Sequence, residues 1–334
     1  MEEGENPSGG QNHPAAKESW LMNNLWWLIV AAGILMVAYS SLKNSNDLGV
    51  TNSANIKLEA QPISTSTVKE KIAVIEISGL IAEENGVVEV TSAKLQAAVF
   101  NTDIKAIILR VESPGGSVNA SDLIWNEVMK ARQSKKPIVA FYNGLATSGG
   151  YYVSVPADKI IATPATLTGS IGVIMQVPNF SGLMDKLGLQ MVTVKSGKSK
   201  DMLSPYRPVN KNDQEILQAL VNESYDQFVQ IVSSGRKMNP KKVRVLADGR
   251  IYSAKQAKEN GLIDEVGYFE DAVKMAQNLS GYKNASPVEI QEVRGPMNIF
   301  SQKIGKLETL FNKLFPKSGL YYIDTTLLMM YQEK

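Results

Sequence analysis

The chain has 334 residues, a formal net charge of +2, 44% hydrophobic and 20% charged residues. That is length for one large or two modest domains plus tails. The charge is too balanced for nucleic-acid binding, and no basic run or aromatic-interleaved basic patch argues otherwise. There is no cysteine, and the single histidine, His13, lies in a polar leader. A disulfide framework, a thiolate or histidine metal site, a cysteine nucleophile and a Ser-His-Asp triad in the folded domain are excluded. No metal or cofactor is expected, and any acyl-transfer chemistry needs a base other than imidazole.

Residues 1–24 are rich in Gly, Pro, Asn and Glu, have no apolar period, and are expected to be disordered. Residues 25–42 read LWWLIVAAGILMVAYSSL, about 18 residues without a charge, near the lower limit for crossing a bilayer at ~1.5 Å per residue. Trp26 and Trp27 stand at one end as interfacial anchors do. A cleaved signal peptide is the competing reading. Glu2, Glu3, Glu5 and Glu18 against Lys17 are unlike a basic n-region, and no Ala-x-Ala site follows, so an uncleaved anchor is expected. Lys17 and Lys43 flank the span one to a side, which leaves the positive-inside rule tied. The polar stretch 43–69 reads as a stalk.

The folded domain is expected over 70–280. Lys71–Ile81 is a β-rich apolar run, 91–101 has a helical pattern, and 105–111 is a second buried strand. A helix over 120–132 and a strand over 137–142 follow. Strands alternating with helices imply βαβ units and a mainly parallel sheet covered on both faces. Over 213–233, Ile216, Leu217, Leu220, Val221, Tyr225, Phe228, Val229 and Val232 recur at the spacing of one buried helical stripe. The extension 281–334 holds an amphipathic helix (303–314) and the apolar tail GLYYIDTTLLMMY (319–331), expected to pack on the domain or to serve assembly.

Three glycine-rich segments could carry chemistry. Glu112-Ser113-Pro114-Gly115-Gly116-Ser117 follows the second strand, and its glycines can turn backbone N–H groups toward a ligand as in an oxyanion hole. An ordinary βα turn is the other reading. In Gly144-Leu145-Ala146-Thr147-Ser148-Gly149-Gly150, a serine between small residues at a strand-to-helix junction can expose its Oγ where helix N–H groups stabilise an oxyanion. Gly149 N–H would be one donor and Gly115 or Gly116 the other; the alternative for Ser148 is a plain N-cap. The third is Thr168-Gly169-Ser170-Ile171-Gly172, followed by Lys195, Lys198 and Lys200. A lysine works as a base only when neutral, which near pH 7 needs its ordinary value of about 10.4 lowered by roughly 3 units through desolvation. A hydroxyl such as Ser170 could orient that amine. Residue chemistry does not separate the three lysines.

SPGGSV, GLATSGGYYVSVPADKIIATPATLTGSIG, VKSGKSKDMLSP and DGRIYSAKQAKENGLIDEVG occur in that order. Together they resemble signal peptide peptidase A in its short bacterial form, over roughly residues 71–279. The resemblance implies a crotonase/Clp-protease-like α/β fold, a homo-oligomeric ring at the membrane and a catalytic domain on the extracytoplasmic side. It implies signal-peptide remnants and similar apolar peptides as substrates. By the same likeness the nucleophile falls on Ser148, the base on Lys200, the lysine-orienting hydroxyl on Ser170, and the oxyanion donors on the Pro-Gly-Gly turn and Gly149. Glu112 departs from the small polar residues usual before that turn. The expected reaction is peptide hydrolysis through an acyl-enzyme. A crotonase-type acyl-CoA enzyme and a non-catalytic membrane scaffold of the same fold are the alternatives.

Overall fold

The computed structural model describes residues 58–63 and 68–292. The expected leader, the anchor at 25–42, the helix at 303–314 and the tail at 319–331 lie outside them. Among the described residues no helix is long and apolar enough to cross a membrane.

In chain order the elements are β1 (Leu58–Pro62), β2 (Lys71–Ile81), α1 (Val87–Phe100), β3 (Ile104–Gly116), α2 (Val118–Arg132), β4 (Ile138–Thr147) and α3 (Gly149–Ser154). Then follow β5 (Lys159–Ala162), β6 (Leu167–Gly169), α4 (Ser181–Lys186), α5 (Lys211–Gly235) and α6 (Pro240–Leu246). The last are β7 (Ile251–Ser253), α7 (Ala254–Glu259), β8 (Glu265–Val266), α8 (Phe269–Ser280) and β9 (Ser286–Glu292).

The strands form one nine-stranded sheet in the order β1-β9-β2-β3-β4-β5-β8, with β6 paired to β4 and to β7. Only β1–β9 and β6–β7 are antiparallel; the other pairings are parallel, as expected. Side chains alternate across the pleat, so each strand feeds both faces. Ile75, Ile77, Leu109, Val111 and Ala140 face α1, α2 and α3, while Ile72, Val74, Ile108, Val139 and Phe141 face Ala272 and Ala276 of α8.

Two strands come from ranges read as something else. Leu58–Pro62, inside the expected stalk, pairs antiparallel with β9, which itself lies beyond residue 280. Its short alternation was too weak a pattern to mark a strand. The expected stripe of α5 is buried only from Phe228 onward; Leu220 is exposed, and Ile216, Leu217 and Val221 are half-buried. Only the second half of that helix packs inward, where Phe228 meets Tyr152 of α3.

β3 and β4 run further than their apolar cores predict. β3 continues through Ser113-Pro114-Gly115-Gly116, so this segment is bulged strand rather than the expected tight turn, with its register shift between Val111 and Ser113. Ser117 then caps α2, its Oγ accepting from Ala120 N–H at 3.0 Å.

Candidate active site

Ser148 stands alone between the end of β4 and the start of α3. Its φ of 52° and ψ of −117° put a non-glycine residue in backbone space that costs about 1–3 kcal/mol. Ser148 N–H donates to Gly169 C=O at 2.8 Å, and its carbonyl accepts from Tyr152 N–H at 2.9 Å. These bonds fix the elbow to β6 on one side and to the first turn of α3 on the other. Ser148 makes no side-chain cap, which removes the plain N-cap reading.

The glycines around it are required by contact. A Cβ on Gly115 would lie 2.6 Å from Gly149 N and 2.9 Å from Ser148 Cβ. One on Gly116 would lie 1.9 Å from the Ile81 carbonyl oxygen, and one on Gly149 would lie 2.4 Å from Ser121 Oγ. The end of β3 and the start of α3 therefore touch backbone to backbone. Thr147 Oγ1 donates to Pro114 C=O at 3.0 Å and ties the two strand ends together.

Helix α3 is six residues long and fully buried. Tyr151 Oη donates to Leu262 C=O at 2.8 Å, and Tyr152 Oη donates to Asp122 Oδ1 at 2.7 Å. The Tyr152 ring meets Phe228 of α5 at a centroid distance of 4.9 Å. Burial pushes the Tyr151 hydroxyl well above its ordinary value, so at neutral pH it is a donor and an anchor. The Ser148 elbow is thereby held on a fixed platform.

The two candidate glycines of the strand end differ. Gly115 N–H donates to Ser113 Oγ at 3.0 Å, and Ser113 Oγ in turn donates to Gly79 C=O at 2.6 Å. Gly116 N would lie 3.2 Å from a Cβ on Gly149, on the side where the elbow sits.

Ser170 is next to Gly169, the residue that accepts from Ser148. It too has positive φ, 50°, and its N–H donates to Arg250 C=O at 2.8 Å. Gly115, Gly116, Ser148, Gly149 and Ser170 are thus brought together. Lys200 is not in that buried cluster. It sits exposed on a turn closed by Lys200 N–H to Gly197 C=O at 3.2 Å, where the expectation was a buried amine. The reason lies in its surroundings: in a single chain most of 172–210 is at the surface, with Phe180, Leu183, Leu187, Leu189, Val192 and Val194 exposed.

Of the competing lysines, Lys195 is committed elsewhere: its Nζ donates to Asp201 Oδ1 at 2.7 Å and to Lys198 C=O at 3.0 Å. Sequence reasoning missed Ser121, whose buried Oγ abuts Gly149 and has no hydrogen-bond partner among the described residues. No local pattern marks it, since the contact spans two elements. It also missed the charged residues 201–213 that hold the Lys200 turn. Among the described residues no acidic or histidine group could hold a metal ion.

A serine in a strained, fully buried elbow, flanked by backbone N–H groups from two elements, is built for nucleophilic attack on a carbonyl. Residues 130–283 match the model of peptidase family S49, and residues 64–168 match that of Clp protease; both ranges contain Ser148. A protein assigned as signal peptide peptidase SppA in Enterococcus faecium is 34% identical over 291 residues, 80% of this chain and 85% of that one. A Synechocystis sp. protein assigned as a protease, slr0021, is 37% identical over 256 residues, covering 76% and 90%. The chloroplastic serine protease SPPA of Arabidopsis thaliana is 31% identical over 238 residues, 68% of this chain and 35% of its own length. The match to full-length relatives and the serine elbow lead to one conclusion: the chain belongs to peptidase family S49 and is a serine peptidase.

Proposed function

We propose that the chain is a membrane-anchored endopeptidase that hydrolyses apolar peptides through a Ser148 acyl-enzyme, with Lys200 as general base. The observation that carries this is the Ser148 elbow, held against two glycine-forced backbone contacts where an oxyanion would form. Lys200 takes the Ser148 hydroxyl proton as Oγ attacks the scissile carbonyl, then gives it to the leaving amine; water resolves the acyl-enzyme. Gly149 N–H and Gly116 N–H hold the oxyanion, because Gly115 N–H is already used by Ser113 Oγ. Ser170, beside the Ser148 backbone partner, orients the amine.

A lysine amine serves as a base only where desolvation favours its neutral form. The exposed apolar side chains of 172–210 supply a surface that assembly into a homo-oligomer, or a bound peptide, would cover. The span at 25–42 would hold the domain at the membrane on its extracytoplasmic side, where the remnants of exported signal peptides are apolar and close at hand. No nucleic acid takes part.

The test is turnover of an apolar peptide by the full chain. Ser148→Ala and Lys200→Ala each lower kcat more than about a thousandfold with the fold intact, while Lys198→Ala does not. Activity rises with pH along an alkaline limb as the base loses its proton. Full activity in Lys200→Ala, or a flat profile from about pH 5 to 9, removes Lys200 from the mechanism.

A further inference from the structure

The segment that carries Lys200 has few sheet contacts to hold it, yet a base must be placed to within about an ångström of its nucleophile. What fixes the segment is a chain of charges. Asp201, next in sequence to Lys200, accepts from Lys195 Nζ at 2.7 Å and from Arg207 Nη2 at 3.1 Å, both on Oδ1. Arg207 Nη1 donates to Asp213 Oδ2 at 2.6 Å and to Pro208 C=O at 3.0 Å. Asp213 lies in the first turn of α5, with its N–H held by Asn210 Oδ1 at 2.9 Å.

This is no ordinary surface pair, most of which contribute little. The Asp213 side chain is 2% exposed and that of Asp201 11%, whereas Lys200, the residue before Asp201, is open to solvent. A guanidinium has the fork that two carboxylates need, and an ammonium cannot replace it on both at once. Backbone bonds brace the same strap: Ser204 N–H to Asp201 C=O at 2.9 Å, and Phe180 N–H to Pro205 C=O at 2.6 Å.

We infer that Arg207 is a positioning residue for Lys200: bridging Asp201 to Asp213, it clamps the turn that presents the base to the N-terminal end of α5. The inference rests on Lys200 as the base. Asp201 works with Arg207 as the near end of the clamp, and Lys195 closes the turn from its other side. The lysine that the sequence placed in competition with Lys200 thus serves it.

The test uses the full chain and a fluorogenic apolar peptide. Arg207→Ala lowers kcat by about tenfold to a hundredfold, as expected when a reacting group is displaced, and leaves KM within about twofold because peptide binding is untouched. Arg207→Lys, which can reach one carboxylate, recovers part of that loss. An unchanged kcat in Arg207→Ala overturns the inference, as does a loss of kcat no larger than the fraction of unfolded protein. Should Arg207→Ala fail to fold, Asp201→Asn keeps the Arg207–Asp213 bond and must show the same loss confined to kcat; a wild-type kcat there overturns the inference as well. Lys200→Ala separates the two levels. If it is inactive while Arg207→Ala is normal, the clamp alone fails; if it is active, the base assignment fails first.

Discussion

The proposed nucleophile and the proposed base are held by opposite kinds of force. Around Ser148, residues 113–117 and 146–152 are buried, pressed backbone to backbone, and fixed by glycines whose hydrogen atoms leave no room for a methyl group. Around Lys200, residues 172–210 are largely exposed and fixed by ion pairs to Asp201 and Asp213. One half of the site is specified by shape and is complete within the single chain. The other half is specified by charge, and its desolvation has to come from outside. A peptidase whose proposed base stays solvated until covered would be restrained from attacking stray peptides.

The sharpest way to break this contrast is at Gly116. A methyl group there would sit 1.9 Å from the Ile81 carbonyl oxygen and 2.6 Å from its carbon, both backbone atoms that cannot step aside. Gly116→Ala should destabilise the domain by about 3 kcal/mol or more, seen as a fall in Tm of about 6–12 °C for a domain of this size. Acylation of Ser148 by a serine-directed probe should fall with it, since Gly116 is a proposed oxyanion donor. A variant with wild-type Tm would mean that the two strand ends do not touch as described.

These two kinds of force also decide what the sequence could reveal. The Ser148 platform is written locally: strand, small residues, Ser-Gly-Gly, then aromatic residues, and the same logic picks out Pro114-Gly115-Gly116. Strand and helix order followed from hydrophobic periodicity because parallel strands buried on both faces read as continuous apolar runs. The Lys200 half was reached only through resemblance. Its lysine has two neighbours of the same type, and the residues that distinguish them, Asp201, Arg207 and Asp213, look like any surface charges until their partners are known. Ser121 escaped for the same reason, since its contact with Gly149 joins two helices. The β1–β9 pair escaped because strands of five and seven residues carry too little pattern to separate from a stalk or an extension.

The charge-held half has a titration signature of intermediate size. Hydrogen bonds from Arg207, then from Lys195, lower the Asp201 carboxyl to about 2. A carboxylate with a depressed value stabilises the fold above its ordinary range near 3.9, and that contribution disappears as the pH falls through the depressed value. Carboxyl NMR should therefore place the Asp201 midpoint near 2 in the native protein, and closer to 3.9 in Arg207→Ala. The 172–210 segment should loosen first on acidification, ahead of the sheet. A midpoint for Asp201 in the ordinary range in the native protein would mean that shape, not charge, holds the lysine half too.

The smallest expected effect carries the most information about assembly. Gly197 lies at the turn before Lys200, has no positive φ, and would place a Cβ with nothing within 4 Å. In an isolated subunit Gly197→Ala should change stability by less than about 1 kcal/mol, in the stabilising direction, because the unfolded chain loses freedom and no folded contact is disturbed. The comparison to make is between dilute and concentrated protein. If the turn stays open to solvent, Tm and kcat of Gly197→Ala follow the native protein at every concentration. If a neighbouring subunit covers the turn and so desolvates Lys200, the added methyl meets that neighbour, and a deficit appears only where the oligomer forms. A deficit that is present at all concentrations would place the obstacle inside the single chain, and the solvated turn on which the contrast rests would be wrong.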